Sequence, residues 1–471
     1  MVSPDPILSA SRAPSAYATE VRATLALGIP IAATQLAQMM LQTTDVLMTG
    51  HLGPEALAAA QLGHNLYFPV FVTILGTLFA SSAMFAQELG GRRYKGVRRT
   101  FRQAMWLILA VTPLAWLYFG HAEQMLLAMG QDPVLAARAQ TYCDGVMWGL
   151  PFMAGFALLR NFIAAHGRPR PAMWLLAVGI PVNAAADYAL MFGGFGLPRL
   201  ELYGLGIATS LVQGAMFFVL LAYILRDRRY RRYMLLVRFW RSDWPRFREL
   251  WVLGLPIGLT KLAEAGLFAA TGFLIGLIGV AELAGHAVAL QFAAIAFMIP
   301  FGVAQAATVR VGLAVGRRDP DGAVLAGRVA TLVGVLVMVP SALIYVFCGE
   351  PLVSLFLDTG DPAEYAAVGH AVTYLAIAGL FQFADGGQSV AAGALRGFKD
   401  TRVPMIIALI GYWPVGIGAA VLFAFPMGFG GEGVWAGLAL GLFVVWVMLA
   451  LRLRRVAGRQ SPTAVPAAVS G

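Results

Sequence analysis

The segment Leu27-Gly28-Ile29-Pro30-Ile31 returns 226 residues later as Leu253-Gly254-Leu255-Pro256-Ile257. Further residues match at the same offset and without a gap: Gly50 with Gly276, Gly53 with Gly279, Leu57 with Leu283, Gly76 with Gly302, Gly90 with Gly316 and Arg92 with Arg318. Self-similarity at one fixed offset is the sequence signature of an internal duplication. The chain therefore consists of two similar halves.

The composition places both halves in a membrane. Of the 471 residues, 59% are apolar and only 12% are charged, whereas about 25% are charged in soluble domains. The apolar residues form blocks of about twenty, the length that a helix needs to cross a bilayer. We predict an all-α integral membrane protein with twelve transmembrane helices near residues 24–49, 56–88, 100–120, 139–165, 172–192, 204–226, 248–276, 284–314, 323–347, 366–394, 404–424 and 432–452.

Basic residues are concentrated in the even-numbered connections between these helices. The second-to-third and sixth-to-seventh connections carry Arg92, Arg93, Lys95, Arg98, Arg99 and Arg102, and then Arg226, Arg228, Arg229, Arg231, Arg232, Arg238, Arg241, Arg246 and Arg248. Because basic loops stay in the cytoplasm, we expect both termini to be cytoplasmic. The net charge of +10 then follows from topology, so we expect membrane lipids and no nucleic acid as partners.

The even number of helices per half fixes the symmetry of the repeat. After six helices the second half enters the membrane in the same orientation as the first, which gives two six-helix lobes related by a parallel pseudo-two-fold repeat, as in transporters. We predict a cytoplasmic N-terminal segment (residues 1–20), an N-lobe with helices 1–6 (21–226) and a basic linker (227–247). A C-lobe with helices 7–12 (248–455) and a disordered cytoplasmic tail (456–471) follow.

Four carboxylic acids lie inside apolar runs, namely Asp45, Asp187, Glu264 and Asp385. A charge at mid-membrane costs about 2.5–3.5 kcal/mol, so each of these acids must face protein or water. Asn183 and Asp187 are four residues apart and project from one face of helix 5. Amide and carboxylate oxygens suit a hard monovalent cation such as Na⁺ or a proton-linked network. Thr209 and Asp45 are further candidates for the same site.

Two other features accompany the acids. Lys261 lies three residues before Glu264 on the same side of helix 7. It either pairs with Glu264 and keeps it ionised, or extends toward the cytoplasmic end of the helix. Prolines inside helices cause kinks, and we predict hinges coupled to cation binding at Pro30, Pro256 and Pro181.

The ordered motifs of the chain also resemble a known family. They are Gly28-Ile29-Pro30-Ile31, Thr44-Asp45-Val46-Leu47-Met48 with Gly50-His51-Leu52-Gly53, Asn183 through Asp187-Tyr188, Gly254-Leu255-Pro256-Ile257 with Glu264, Ala384-Asp385, and Ala394-Leu395-Arg396-Gly397-Phe398-Lys399-Asp400-Thr401. From about residue 20 to about residue 455 the chain resembles the multidrug and toxic compound extrusion (MATE) transporters, and among them the bacterial NorM-type branch.

The resemblance implies a secondary active multidrug exporter in the bacterial inner membrane, which exchanges amphipathic, often cationic, drugs for Na⁺ or H⁺ by alternating access. It implies an N-lobe cation site at Asp45, Asn183, Asp187 and Thr209, and an acidic pair for cation binding or coupling in the C-lobe at Glu264 and Asp385. Na⁺ is a candidate at either set. Lys261 does not fit the family pattern and is a candidate modulator of Glu264. We expect a monomer, because the cavity forms within one chain.

Two alternatives remain open at this stage. A lipid-linked sugar flippase of the same superfamily would need a more cationic cavity to hold pyrophosphate. An integral membrane lipid-modifying enzyme would need a catalytic cluster at the membrane boundary, and the sequence shows no nucleophile–base pair, phosphate-binding glycine loop, HExxH or CxxC. We therefore expect a protein that is not an enzyme and has no cofactor.

Overall fold

A computed structural model describes residues 15–358, 361–362 and 364–459. Most of the predicted N-terminal segment and most of the predicted tail lie outside these residues. The regular secondary structure of the described residues is entirely helical, without a β-strand. Its long helices are α1 Ala16–Gly50, α2 Pro54–Gly90, α3 Tyr94–Phe119, α4 Pro133–Ala165, α5 Arg170–Phe192, α6 Glu201–Arg226, α7 Trp244–Gly276, α8 Val280–Arg317, α9 Pro320–Phe347, α10 Tyr365–Gly397, α11 Arg402–Ala424 and α12 Gly430–Gly458.

Eleven of these helices in the described chain are long and apolar enough to cross a membrane. The exception is α3, which begins with basic residues and qualifies only together with the short helix Ala122–Ala128, from which it is bent by 52°. Counting this pair as one span gives twelve. The predicted all-α membrane architecture is therefore confirmed.

Each lobe has a large apolar core of its own. One cluster contains Phe85, Phe101 and Phe162 among residues mostly of α2–α6, and the second contains Leu267 and Trp435 among residues of α7–α12. Burial of such side chains stabilises each group of helices against separation. The residue bounds predicted for the two lobes stay predictions.

The two lobes meet where glycines let helices approach closely. A Cβ atom at Gly76 of α2 would lie 2.5 Å from the Cα atom of Gly258 in α7, and one at Gly302 of α8 would lie 2.6 Å from the carbonyl oxygen of Gly28 in α1. Gly76 and Gly302 are equivalent positions of the sequence repeat. The contact of α2 with α7 is thus repeated by that of α8 with α1, as a pseudo-two-fold axis requires.

One end of the bundle, which we call the basic end, carries the Arg-rich connections α2–α3, α6–α7 and α8–α9. Ion pairs join the two lobes there. Arg246 of α7 donates to Glu88 of α2 over 2.7 Å. Arg310 of α8 donates to both carboxylate oxygens of Glu20 in α1. The lobes are consequently held together at the basic end.

The linker between the lobes is attached to α3. Arg102 and Trp106 of α3 donate to the carbonyl oxygens of Arg238 and Phe239, each over 3.0 Å. Asp243 caps α7 and accepts a hydrogen bond from Arg99 of α3. Because an aspartate cap favours a helix start, α7 begins at Trp244, four residues before the predicted start.

Candidate cation and ligand site

The four polar residues predicted for the N-lobe come together on three helices. Asn183 of α5 donates from Nδ2 to Asp45 Oδ1 of α1 over 2.5 Å and to Asp187 Oδ2 over 2.8 Å. Thr209 of α6 donates to Asp45 Oδ2 over 3.3 Å. Asn183 and Asp187 are fully buried, whereas Asp45 is only half-buried. Asp45 therefore connects the buried cluster to the space outside it.

This cluster has spare oxygen atoms. In the part of the chain that the structure describes, Asn183 Oδ1 and Asp187 Oδ1 accept no hydrogen bond although both are buried. The carboxyl groups of Asp45 and Asp187 both accept from the same nitrogen, Asn183 Nδ2, and therefore lie close to each other. Two carboxylates so close repel each other unless a proton or a cation offsets their charge. The chemistry of the donor set suits Na⁺ or H⁺.

A cavity of about 430 Å³ adjoins the cluster. Asp45 and Thr209 form part of its wall, beside the aromatic rings of Tyr67, Phe71 and Tyr142. The volume falls within the range of about 300–1,000 Å³ that small-molecule sites occupy. The rest of the wall mixes apolar side chains with polar ones, five of which are glutamines. Aromatic rings and one carboxylate in such a wall are suited to an amphipathic cation.

The acidic pair predicted for the C-lobe is also buried, with 7% of Glu264 and 6% of Asp385 exposed. Asp385 Oδ1 accepts from Gln388 Nε2 over 3.1 Å, and Gln388 Oε1 accepts from the Tyr412 hydroxyl over 2.7 Å. Tyr412 lies in a π-helical segment of α11, Gly411–Ile417, a local geometry common at functional sites. Gln388 and Tyr412 were not predicted from the sequence.

Lys261 forms an ion pair with Glu264. Its Nζ lies 2.6 Å from Glu264 Oε2 and 5.1 and 5.5 Å from the ring centroids of Phe301 and Phe297. Of the two alternatives left open by the sequence, the structure thus shows the ion pair. The lysine compensates the charge of Glu264 within one turn of α7.

Two buried arginines were not predicted as site residues. Arg396 lies two residues beyond the predicted end of the tenth helix, but in the structure it is buried in the last turn of α10. There it lines a C-lobe cavity of about 40 Å³ together with Lys261 and Glu264. Arg160 of α4 is 5% exposed and donates to Gln35 Oε1 over 2.6 Å. Arg160 lies inside the mostly apolar run 150–165, so the criterion used for the acids would have found it.

The three predicted hinge prolines all lie inside helices. Pro30 is in α1, Pro256 in α7 and Pro181 in α5, two residues before Asn183. The hydroxyls of Thr34 and Thr260 donate to the Pro30 and Pro256 carbonyls over 2.6 and 2.8 Å. Such back-bonding bends helices slightly, and it occurs at equivalent positions of both lobes. That these prolines act as hinges stays a prediction.

Comparison with known proteins identifies relatives over nearly the whole chain. The MatE family model matches residues 30–189 and 256–422. A Mesorhizobium japonicum protein named probable multidrug resistance protein NorM is 46% identical over 94% of this chain and 96% of its own. A protein of the same name from Brucella suis is 42% identical over 93% of this chain and 94% of its own. Another from Pseudomonas putida is 38% identical over 94% of this chain and 96% of its own.

Solved structures agree on the fold. A eukaryotic MATE transporter superposes with a TM-score of 0.80 at 21% identity, covering 94% of this chain and all of the other. An outward-facing multidrug resistance MATE family transporter of the MOP superfamily superposes with a TM-score of 0.85 at 19% identity, covering 94% and 97%. With the family model and the relatives, the duplicated helical architecture leads to one conclusion: the chain belongs to the MatE family of multidrug and toxic compound extrusion (MATE) transporters, in its bacterial NorM-type branch.

Proposed function

We propose that this protein exports amphipathic, often cationic, small molecules in exchange for Na⁺ or H⁺. The observation that carries the proposal is the position of Asp45, which belongs both to the buried polar cluster and to the wall of the 430 Å³ cavity. A cation bound at this carboxylate and a cationic ligand in the cavity would compete for one negative charge. The multidrug resistance names of the relatives support the same function.

We place the coupling ion in the N-lobe, at Asp45, Asn183, Asp187 and Thr209. The two lobes differ in charge balance. The C-lobe acids share their surroundings with Lys261 and Arg396, whereas the two N-lobe acids have only neutral hydrogen-bond donors among the described residues. A cluster with uncompensated negative charge attracts a cation more strongly. Glu264 and Asp385 are then a second, weaker candidate for cation binding.

The proposed cycle follows from the contacts between the lobes. We take the basic end as cytoplasmic, in the inner membrane of a bacterium, with both termini on that side. The lobes are joined at this end, while the cavity lies near the other, so the structure corresponds to the outward-facing state. Cation binding releases the ligand outward, and bending at Pro30, Pro181 and Pro256 accompanies the return. Because the cavity forms within one chain, a monomer suffices.

The alternatives are less well supported. A flippase for a lipid-linked sugar needs cations to hold pyrophosphate, yet among the described residues the wall of the 430 Å³ cavity carries Asp45 and neither lysine nor arginine. A membrane enzyme needs a nucleophile next to a base, and the hydroxyls of Thr209 and Tyr412 at these sites donate to Asp45 and Gln388 instead. Transport without chemistry on the ligand fits both observations.

The test is efflux of a fluorescent cationic dye from proteoliposomes, with Na⁺ and pH gradients imposed separately. One of the two gradients should drive efflux by the unmodified protein. Asp45→Asn and Asp187→Asn should each abolish gradient-driven efflux while the protein still inserts and folds. Glu55→Gln, which changes an exposed carboxylate of α2, is the matched control and should behave as wild type. Normal efflux by both aspartate variants would exclude the N-lobe site, and efflux driven by neither gradient would exclude antiport.

A further inference from the structure

A groove runs along the outer surface between α9 and α12 at the basic end. It has a volume of about 620 Å³ and is lined mainly by small and apolar side chains, among them Gly327, Val335, Ala450, Leu453 and Ala457. Along α9 it extends from residue 323 to residue 335, about 18 Å at 1.5 Å per residue. This length is close to half of a hydrocarbon core of about 30 Å. The groove thus spans about one leaflet.

Two arginines line the same groove. Arg328 lies in α9 and Arg454 in the last turns of α12, and both side chains are exposed. Neither has a carboxylate partner among the described residues. Nearby Arg452 differs, because its Nε lies 2.7 Å from Asp400 Oδ2. Two guanidinium groups in the wall of an apolar groove are therefore available to an anion.

We propose that this groove binds an anionic phospholipid of the cytoplasmic leaflet. Its phosphate would lie between Arg328 and Arg454, and one acyl chain would lie along α9 and α12. Guanidinium groups bind phosphate through paired hydrogen bonds, and basic pockets between membrane helices on the cytoplasmic side bind acidic head groups. The apolar wall requires hydrocarbon as the occupant, which a free phosphate does not provide. The site is separate from the cation cluster and does not depend on which ion drives transport.

Lipid binding in the groove should stabilise the folded protein. A ligand that contacts two helices of the folded state and has no site on the unfolded chain stabilises the fold by mass action. We therefore expect phosphatidylglycerol, at equal acyl-chain length, to raise the melting temperature of the detergent-solubilised protein more than phosphatidylcholine does.

The direct test is native mass spectrometry of the full-length protein in detergent, titrated with phosphatidylglycerol and phosphatidylcholine of identical acyl chains. Phosphatidylglycerol should bind more tightly to wild type. The double variant Arg328→Gln, Arg454→Gln should weaken that binding about thirty-fold, because each arginine contributes about 1 kcal/mol to the binding. The matched control is Arg228→Gln with Arg231→Gln, which removes the same charge from the exposed linker. If both double variants weaken phosphatidylglycerol binding equally, the lipid is attracted diffusely to the basic end, and the proposal is overturned.

A second variant tests the hydrocarbon part of the site. A Cβ atom at Gly327 would have its nearest neighbours at 3.9 Å, among them the groove residue Leu453. The first carbon of the Gly327→Leu side chain therefore fits without displacing the backbone, and the rest of the side chain fills space beside Leu453. This variant should reduce phosphatidylglycerol binding at unchanged charge. Glycerol 3-phosphate is added in a separate arm and should give no stabilisation. Full lipid binding by Gly327→Leu, or equal stabilisation by glycerol 3-phosphate, would exclude an acyl-chain site.

Discussion

Replacement of Gly316 by alanine should open the basic end. Gly316 of α8 and its repeat equivalent Gly90 of α2 lie where the two lobes touch at that end. A Cβ atom at Gly316 would lie 2.8 Å from the carbonyl carbon of Gln87 in α2 and closer still to its oxygen. Carbon atoms pack at about 3.5–4.0 Å. The two helices must therefore separate by roughly 1 Å before alanine fits.

The size of the effect follows from this overlap. Overpacking of a close contact costs about 1–3 kcal/mol. The gain in helix propensity from glycine to alanine cancels between the two states of the proposed cycle, provided that α8 stays helical in both. In the proposed cycle this structure is the outward-facing state, and the close contact is expected in that state alone. The ratio of inward- to outward-facing molecules should therefore rise about 5- to 150-fold.

Double electron–electron resonance measures this ratio. Spin labels at Lys95→Cys and Asp321→Cys report the separation of the lobes at the basic end, where both side chains are exposed. Cys348 is exposed and is replaced first, whereas Cys143 is buried. Gly316→Ala should add a longer distance. The control is Gly369→Ala in α10, where an added Cβ atom meets nothing within 4 Å. An unchanged distance distribution in Gly316→Ala would refute the assigned closing contact.

Two more outcomes follow from the charged contacts. Lys261→Met should lower the free energy of unfolding by about 3–5 kcal/mol, because it leaves the buried charge of Glu264 unpaired. The additional change Glu264→Gln should recover most of that lost stability, as measured by thermal unfolding. At Asp243, burial raises the pKa, but the hydrogen bond and charge of Arg99 outweigh it and hold the pKa below its usual range. The contact of the linker with α3 should then persist at neutral pH and be lost only below about pH 4, measured as protease cleavage of the linker.

Much of the fold could be predicted because the membrane enforces it. Apolar blocks of fixed length and a constant repeat offset are properties of the sequence itself, and they predicted the helices and their parallel duplication. The third helix shows where the signal weakens, since its basic first turns lower its mean hydropathy. The attachment of the linker to α3 could not be predicted, because most of its hydrogen bonds are accepted by backbone carbonyl groups, which every sequence has.

The candidate site, like the fold, could be predicted from the sequence only in part. Asp45 and Asp187 stand out in the sequence because a carboxylate inside an apolar run is costly unless it faces protein or water. Arg396 lies near a helix end, where basic residues are ordinary, so its burial was not evident. The role of Tyr412 depends on the π-helical segment of α11, and no pattern in the sequence indicates that geometry. Contacts between helices that are distant in sequence required coordinates.

The attachment of the linker to α3 restricts how the lobes can move. Residues 238–243 are bonded to the N-lobe, and α7 begins directly after them. Leu250 and Ile257 in the first half of α7 belong to the apolar core of the N-lobe, whereas Ala263 and Leu267 belong to that of the C-lobe. The connection has almost no slack, so relative motion of the lobes must be absorbed as curvature of α7 itself. Pro256 lies just before the changeover between the two cores, which falls between Ile257 and Ala263, and that curvature would concentrate there.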